Sequence, residues 1–391
     1  TTASNNTAIG YAALGANTTG HSNVAVGVNA LDANTTAQDN TAVGYLALTA
    51  ATTGSYNTGV GRNVMGALTT ASENVAMGYN TYDTATTGVG NVAIGASAMT
   101  AQTTASHNTA VGYGAFAGSE TAVRGTAIGN LAINVNNSGD DLTAVGFHAL
   151  KANTGGAANT AVGSKALIAN TTGAGNTATG LNSGKAVTTG SNNTFVGHET
   201  GYNLTTGDAG IYVGYNNTAS AVGVDNEILI GSNANGGGTN TARFQTSGGS
   251  ATLGLDGSDT SWAAASDSRL KKDVATSAVG LDFIKDLRPV TFKWNAKNAI
   301  ADSLPQYDAS SSDPVHGSGK TQHGFIAQEV KTAIDEHSGL KDGFTMWRED
   351  PDGTQQVAPT ALVPMLVKAI QELSAEIEEL KTQPKCKCNE E

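Results

Sequence analysis

Apolar and polar residues follow a strict period of 17 over residues 1–240. The pattern N-T-A-[VI]-G recurs, and its closing glycine stands at every seventeenth position from Gly10 to Gly231, in fourteen copies without a slip. The residue before this glycine is apolar in 13 of the 14 copies, with Thr179 as the exception. The residue four positions after it is large and apolar in the first ten copies, beginning with Leu14. We therefore expect two inward-pointing positions in each 17-residue unit.

Each unit is too small to fold alone. Its T-A-V stretch alternates as a short strand does, and tracts such as ANTTG and NNSGDD are rich in turn-forming residues. The pattern predicts a short strand, a tight bend, a second short extended piece and a turn. Because one unit cannot bury its apolar positions, the copies are expected to stack as a parallel β-solenoid, roughly 65–70 Å long at ~4.8 Å per coil.

The apolar content of each coil is small. Alanine stands two positions before the glycine in most copies, which favours several chains packed side by side, and three chains are the expected number. In the last three copies this position is held by Phe195, Tyr212 and Leu229, which predicts a larger core there. A disordered Gly/Ser/Thr linker is the alternative, but a linker does not keep a 17-residue register of Val and Leu.

The repeat N-[TS]-[VA]-[AV]-[IV]-G resembles the head repeats of trimeric autotransporter adhesins, and similar repeats occur in bacteriophage tail fibres. The resemblance covers residues 1–240. It implies a left-handed parallel β-roll that assembles as a homotrimer.

The composition changes after residue 240. All 7 prolines and all 3 tryptophans lie beyond residue 260, and residues 1–240 hold only 5 of the 21 Lys and Arg residues. We predict three parts: a solenoid shaft over 1–240, a neck over 241–265 that breaks the period, and a second domain over 266–391.

Charge and composition exclude several classes of function. The net charge is −12 and no basic run exists, so nucleic acid is not an expected partner. The sequence has no stretch of 18 apolar residues, so membrane insertion is not expected. Cys386 and Cys388 form a C-x-C in a charged tail, which alone does not complete a zinc site, so neither a metal nor a cofactor is expected. The chain begins inside a repeat at Thr1, and we expect that its natural start and anchor precede it.

One stretch, TGLNSGKAV at residues 179–187, is similar to a phosphate-binding loop but does not match it. Thr179 stands where that loop needs its first glycine, and Ala186 stands where it needs Ser or Thr. The stretch is interpreted as another copy of the repeat.

A serine and a lysine stand at the change in composition, within AAASDSRLKKD. Ser266 becomes a nucleophile only if a base removes its proton, and Lys271 is a candidate base if burial lowers its pKa. The spacing of five does not place both on one face of a helix. By spacing alone, Ser266 is equally well interpreted as the N-cap of a helix with solvated basic residues.

Four blocks, in order, resemble the C-terminal intramolecular-chaperone auto-processing domain: S-D-x-R-L-K-x-x-V, G-L-x-x-I-x-x-L-R-P-V-x-F-x-W, H-G-F-I-A-Q-E-V and A-L-V-P-M-L-V-K-A-I-Q-E-L. That domain ends many phage tail fibres, spikes and endosialidases, and also occurs in myelin regulatory factor. The resemblance implies a trimeric domain that templates folding and then cuts itself off through a Ser-Lys dyad. It implies Ser266 as nucleophile, Lys271 as base, Asp267 and Arg269 as supporting residues, and a cut between Ala265 and Ser266.

From Ala361 the apolar pattern becomes helical, in steps of three and four that are typical of a coiled-coil seam. The seam positions are Val363, Leu366, Ile370, Leu373, Ile377 and Leu380. Core packing within one chain is the alternative for Val363 and Leu366. Residues 322–337 predict a short strand that runs into a helix, and His323 and His337 are interpreted as structural.

The expected fold is therefore mainly β, a trimeric parallel β-solenoid followed by an α+β chaperone domain that ends in a coiled-coil-like helix. The expected protein is a phage tail fibre shaft or receptor-binding segment, assembled in the host cytoplasm and carried in the virion tail. Its expected partners are two further copies, upstream tail components and a host-surface receptor, either protein or glycan.

Three other functions remain as alternatives. The first is a trimeric adhesin on a cell surface. The second is a glycan-degrading tail spike, which would need paired carboxylates, whereas the 11 acidic residues of the repeats are scattered. The third, a membrane-tethered transcription factor, would need a basic DNA-binding region and a transmembrane helix that this sequence does not contain.

Overall fold

The computed structural model describes residues 2–118, 121–247, 249–255, 263–264, 272–302, 304, 306–316, 319–340, 344–349 and 354–382. The chain divides into two compact units, Thr1–Ser266 and Asp267–Glu391. Each unit has its own hydrophobic core.

The N-terminal unit is a parallel β-solenoid, as predicted. Strands β1 to β14 pair in sequence order, each in register with the residue 17 positions further along, as in Thr41 with Thr58. This offset ends after β14, where Glu227 pairs with Thr241, and β15, β16 and β17 then pair as antiparallel neighbours.

The strands of this unit are β1 (Thr7–Ile9), β2 (Val24–Val26), β3 (Thr41–Val43), β4 (Thr58–Val60), β5 (Val75–Met77), β6 (Val92–Ile94), β7 (Thr109–Val111), β8 (Thr126–Ile128), β9 (Thr143–Val145), β10 (Thr160–Val162), β11 (Thr177–Thr179), β12 (Thr194–Val196), β13 (Ile211–Tyr215), β14 (Glu227–Ser232), β15 (Thr241–Thr246), β16 (Gly249–Gly254) and β17 (Ala263–Ala264).

One of the two predicted inward positions is wrong. The residue four positions after the glycine is buried, as for Leu48 and Tyr82, but the residue just before the glycine points outward, and Ile9 and Met77 are exposed. The physical reason is the alternation of side chains along the strand: the central residue, usually alanine such as Ala42, faces the core, so the residues on either side of it face away from the core. The strand therefore presents its two outer residues to the surroundings.

Those outer residues form a continuous face along β1 to β14. Its two columns are the residues three positions and one position before each glycine, and none of them is buried. The first column consists only of Thr, Val and Ile, and the second only of Val, Ile, Met and Thr179. We call this uncharged surface the outer strand face.

The predicted second extended piece is also wrong for the first twelve coils, where turns follow each strand in the described residues. The buried residue of this segment adopts the left-handed conformation, with φ of 49° at Leu48. This conformation costs a non-glycine residue about 1–2 kcal/mol, which burial of a leucine side chain, about 1.5–3 kcal/mol, offsets. The repeat glycine cannot be replaced by a larger residue in this way, because a Cβ on Gly44 would lie 2.2 Å from the carbonyl oxygen of Gly61.

Asparagine side chains connect successive coils inside the solenoid. Each Oδ1 accepts the backbone N–H of the residue 17 positions later, at 2.7 to 3.1 Å. The column is interrupted at Gly125 and Leu142. We call it the asparagine ladder, and its members are Asn6, Asn23, Asn40, Asn57, Asn74, Asn91, Asn108, Asn159, Asn176 and Asn193.

The larger core predicted for the last coils is confirmed. Phe195, Tyr212 and Leu229 are fully buried, and the first two rings stack at 5.4 Å. Beside them lies a fully buried carboxylate, that of Glu227. It accepts hydrogen bonds from the Tyr212 hydroxyl at 3.1 Å and from the Gly238 backbone N–H at 2.8 Å, so its buried oxygens have hydrogen-bond partners.

The C-terminal unit is an α+β fold. Its strand pairs are β18 with β19 and β20 with β21, both antiparallel. Its core consists of Phe283, Leu287, Val330, Ala333, Ile334, Leu340, Met346 and Leu362. Its elements are α1 (Leu281–Asp286), β18 (Val290–Phe292), β19 (Gln322–Gly324), α2 (Ala327–Glu336), β20 (Trp347–Glu349), β21 (Gln355–Val357) and α3 (Val363–Thr382), with 3-10 turns at Lys297–Ala299, Ser338–Leu340 and Pro359–Leu362.

Candidate functional site

The predicted cleavage site lies outside the described residues. This holds for Ala265, Ser266, Asp267, Arg269 and Lys271. The Ser-Lys dyad therefore stays a prediction, and the structure contributes the two segments that flank it.

The segment before the cut belongs to a sheet of the N-terminal unit. In β17, Ala263 pairs with Thr252 and Ala264 pairs with Ala251, both antiparallel to β16. The backbone at Ala263 and Ala264 is therefore extended and paired with β16, one residue before the predicted scissile carbonyl.

The segment after the dyad is exposed. Lys272 lies 3.9 Å from the carboxylate of Asp273, and both side chains are almost fully in water, so the pair contributes little to stability. A lysine this exposed lacks the burial that activates a lysine base. Further along, the hydroxyl of Ser277 accepts the backbone N–H of Val279 at 3.2 Å and forms a tight turn into α1.

The start of α1 is fixed to the C-terminal helix. The backbone N–H of Leu281 donates to Oε2 of Glu372 in α3 at 2.7 Å. This hydrogen bond, together with the nearby ammonium of Lys368, holds the pKa of Glu372 below its usual value. Leu281 is ten positions after Lys271, so the chain that leaves the predicted dyad is soon anchored.

Polar contacts connect α1 and the residues after it to α2. Arg288 makes a two-pronged ion pair with Glu329, with Nε to Oε2 at 3.0 Å, and this hydrogen bonding lowers the pKa of the Glu329 carboxyl. His337 lies 2.7 Å from Asp286 and edge-on to the Phe283 ring. His337 thus packs between elements of the core, and His323 lies exposed in β19.

The seam positions of α3 are exposed in the single chain. Val363, Leu366, Ile370 and Ile377 are between 42% and 65% exposed. The alternative that Val363 and Leu366 pack in the core of one chain is therefore wrong, and Leu362 takes that place. The exposed residues repeat every seven positions in two rows, which form an apolar stripe along the helix. The stripe comprises Val363, Leu366, Ile370, Leu373, Ile377 and Leu380.

A comparison with protein families finds one match. Residues 266–339 match the family model described as chaperone of endosialidase, a peptidase family. The match begins at the serine predicted as nucleophile and covers α1, β18, β19 and α2. This family implies a self-cleaving peptidase domain. Together with the solenoid, the match fits a tail fibre with a C-terminal chaperone domain, and family and fold suggest a homotrimer.

No curated protein and no solved structure matches the chain. Among the described residues, no group of three His, Cys, Asp or Glu could hold a metal ion. Within the same residues, no helix has the length and apolarity needed to span a membrane.

Sequence reasoning missed one residue of this domain, Glu372. Its partner Leu281 is 91 positions away, so no local pattern announces the contact. The signal available in the sequence is the block that contains it, A-L-V-P-M-L-V-K-A-I-Q-E-L, in which the glutamate stands between the seam positions Ile370 and Leu373 without belonging to the seam.

Proposed function

We propose that the protein is a phage tail fibre shaft or receptor-binding segment whose C-terminal domain templates trimer folding and then removes itself by cleavage between Ala265 and Ser266. The observation that carries the proposal is the family match, because it begins at the proposed first residue of the released domain. The mature fibre would be carried in the virion tail after assembly in the host cytoplasm, with upstream tail components and a host-surface receptor as partners.

Two surfaces of the single chain support assembly with other copies. The outer strand face, made of Thr, Val, Ile and Met, runs uncharged along fourteen coils, and the apolar α3 stripe repeats over three heptads. An exposed apolar stripe of this extent is typical of a protein interface. Each surface is suited to meet the same surface of other copies.

The proposed chemistry uses the residues of the dyad. The Oγ of Ser266 attacks the carbonyl carbon of Ala265 while Lys271 takes the hydroxyl proton. The C–N bond between the two residues breaks, the new amine receives a proton, and an ester replaces the amide. Water then hydrolyses the ester, which releases the fibre with a new carboxylate and restores the serine hydroxyl.

Neighbouring residues of the same type provide matched controls for this mechanism. Wild-type protein is expected to give two bands on a denaturing gel, and Ser266→Ala one full-length band. Ser268→Ala should still give two bands. Likewise Lys271→Ala should abolish or slow cleavage, whereas Lys272→Ala should not. Mass spectrometry of the wild type should find a fragment that begins at Ser266.

Two results would contradict the proposal. Cleavage of Ser266→Ala at the wild-type rate would show that Ser266 is not the nucleophile. A new N-terminus other than Ser266 would show that the cut site is wrong, even if two bands appear.

A further inference from the structure

Helix α3 has two opposite faces with different surroundings. One face is the exposed apolar stripe, in which Ile370 and Leu373 are 65% and 41% exposed. The other face contacts the segment that leads from the predicted dyad into α1, through Met365, Lys368 and Glu372. The same helix is thus available both to other copies and to the predicted cleavage segment.

Glu372 is the centre of the second face. Its Oε2 accepts the Leu281 backbone N–H at 2.7 Å, and its Oε1 lies 3.3 Å from the ammonium of Lys368 one turn earlier. Hydrogen bonds to a charged acceptor are among the stronger ones in proteins. Without this carboxylate, the first N–H of α1 has no side-chain partner from its own cap, because Gly280 provides none.

Gly280 allows the close approach of α3. A Cβ at this position would lie 2.5 Å from Oε2 of Glu372 and 2.7 Å from Cγ of Lys368. Two turns earlier on α3, the sulfur of Met365 lies 3.8 Å from the hydroxyl of Ser277. Residues 277–281 are therefore fixed to α3 at two points.

The order of α3 depends on what covers its stripe. In proteins, most of the stability of a helix such as the 20-residue α3 comes from tertiary packing of its apolar face and less from helix propensity. In the single chain, the core residues that α3 provides come from its first two turns, where Met365 and Ala369 lie. Packing of the stripe against other copies would therefore order α3, and with it the anchor of residues 277–281.

We propose that Glu372 is the positioning residue that couples assembly of the α3 helices to self-cleavage. This inference rests on the proposed autoproteolysis. When the stripe is covered, α3 is held in place and Glu372 fixes the start of α1, ten positions after Lys271 in the chain. Before assembly, the stripe is uncovered and this anchor is less stable. Cleavage then waits until the trimer has formed.

The test compares two substitutions of the same residue in the full chain. Glu372→Gln keeps an oxygen that accepts the Leu281 N–H, whereas Glu372→Leu removes it. In cell-free synthesis sampled over time, Glu372→Leu should cleave about 10-fold to 100-fold more slowly than wild type, and Glu372→Gln within about twofold of it. Both should keep the native mass of a trimer. Glu379→Leu, further along the helix, is the control for a leucine added to α3.

Several outcomes would overturn the inference. The first is cleavage of Glu372→Leu at the wild-type rate, and the second is equal slowing of cleavage in both Glu372 variants. The third is loss of both the trimer and cleavage in Glu372→Leu, because the residue would then have only a structural role. If Glu372→Leu does not fold, Gly280→Ala is tested in its place, because the Cβ of the new alanine displaces the Glu372 carboxylate. Unchanged cleavage in Gly280→Ala also overturns the inference. A wild type that stays one band, like Ser266→Ala, would instead refute the proposed autoproteolysis itself.

Discussion

Removing one amide from the asparagine ladder should open the shaft locally. Asn74 is fully buried, and its Oδ1 accepts the Asn91 backbone N–H at 2.9 Å. Its Nδ2 donates to the Gly88 carbonyl at 2.9 Å. In Asn74→Ala both backbone groups lose a partner in a place that water does not reach. Each such group costs about 1–3 kcal/mol, so the expected loss is about 2–6 kcal/mol.

Hydrogen exchange followed by mass spectrometry is the suitable assay, because a long repeat array does not unfold in a single two-state step. A loss of 2 kcal/mol corresponds to roughly 30-fold faster exchange in the coils that contain Asn74 and its neighbours. Coils around Asn176 should be unaffected. Thr87→Ala, an exposed side chain on a nearby coil, is the matched control. Exchange that changes less than a few-fold near Asn74, or equally along the whole shaft, would refute the reasoning.

Two further predictions concern assembly and pH. Ile370→Asp places a charge in the α3 stripe and should lower the native mass from that of a trimer to that of a monomer. Gln371→Asp, one position away and outside the stripe, should leave the native mass unchanged. Light scattering measures the native mass of both variants. Burial raises the pKa of the Tyr82 phenol above its usual 10.0 and likewise that of Tyr212, so their contribution to stability is complete below pH 10 and is lost as the pH rises beyond it. A spectrophotometric titration should show exposed tyrosines ionising first and these two only as the shaft unfolds; ionisation of all tyrosines near pH 10 in folded protein would contradict this.

The sequence predicted the solenoid because the closing glycine keeps its period of 17 in all fourteen copies. Leu48 and Tyr82 were placed inward correctly, since a large apolar residue at a fixed phase has to be buried somewhere in a stacked coil. Met77 was placed inward wrongly, because apolarity alone does not distinguish a core position from an interface position. The burial of Ala76 at the centre of the strand shows which of the two it is, because side chains alternate along a strand.

Polar contacts were less predictable than apolar ones. The repeated asparagine was visible, but its partner 17 positions away becomes apparent only once the coils are stacked. The contact of Glu372 with Leu281 joins residues 91 positions apart and depends on how α1 meets α3. The roles of Ser266 and Lys271 still rest on resemblance and on the family match, because both residues lie outside the described part of the chain.

The repetition that makes the shaft easy to recognise also makes it hard to assemble. Adjacent coils present nearly the same outer strand face, so three chains displaced by one coil lose little contact, and the shaft alone specifies its register weakly. Phe195 and Tyr212 differ from the rest of the repeat but are buried within one chain, so the distinct residues available to align chains are those of the exposed α3 stripe. The stripe has Val or Ile in one row and Leu in the other, a combination that in isolated parallel coiled coils favours two strands. We infer that α3 sets the alignment of the chains without by itself setting their number, and that a cut delayed until the chains are aligned removes the α3 clamp only from correctly registered fibres.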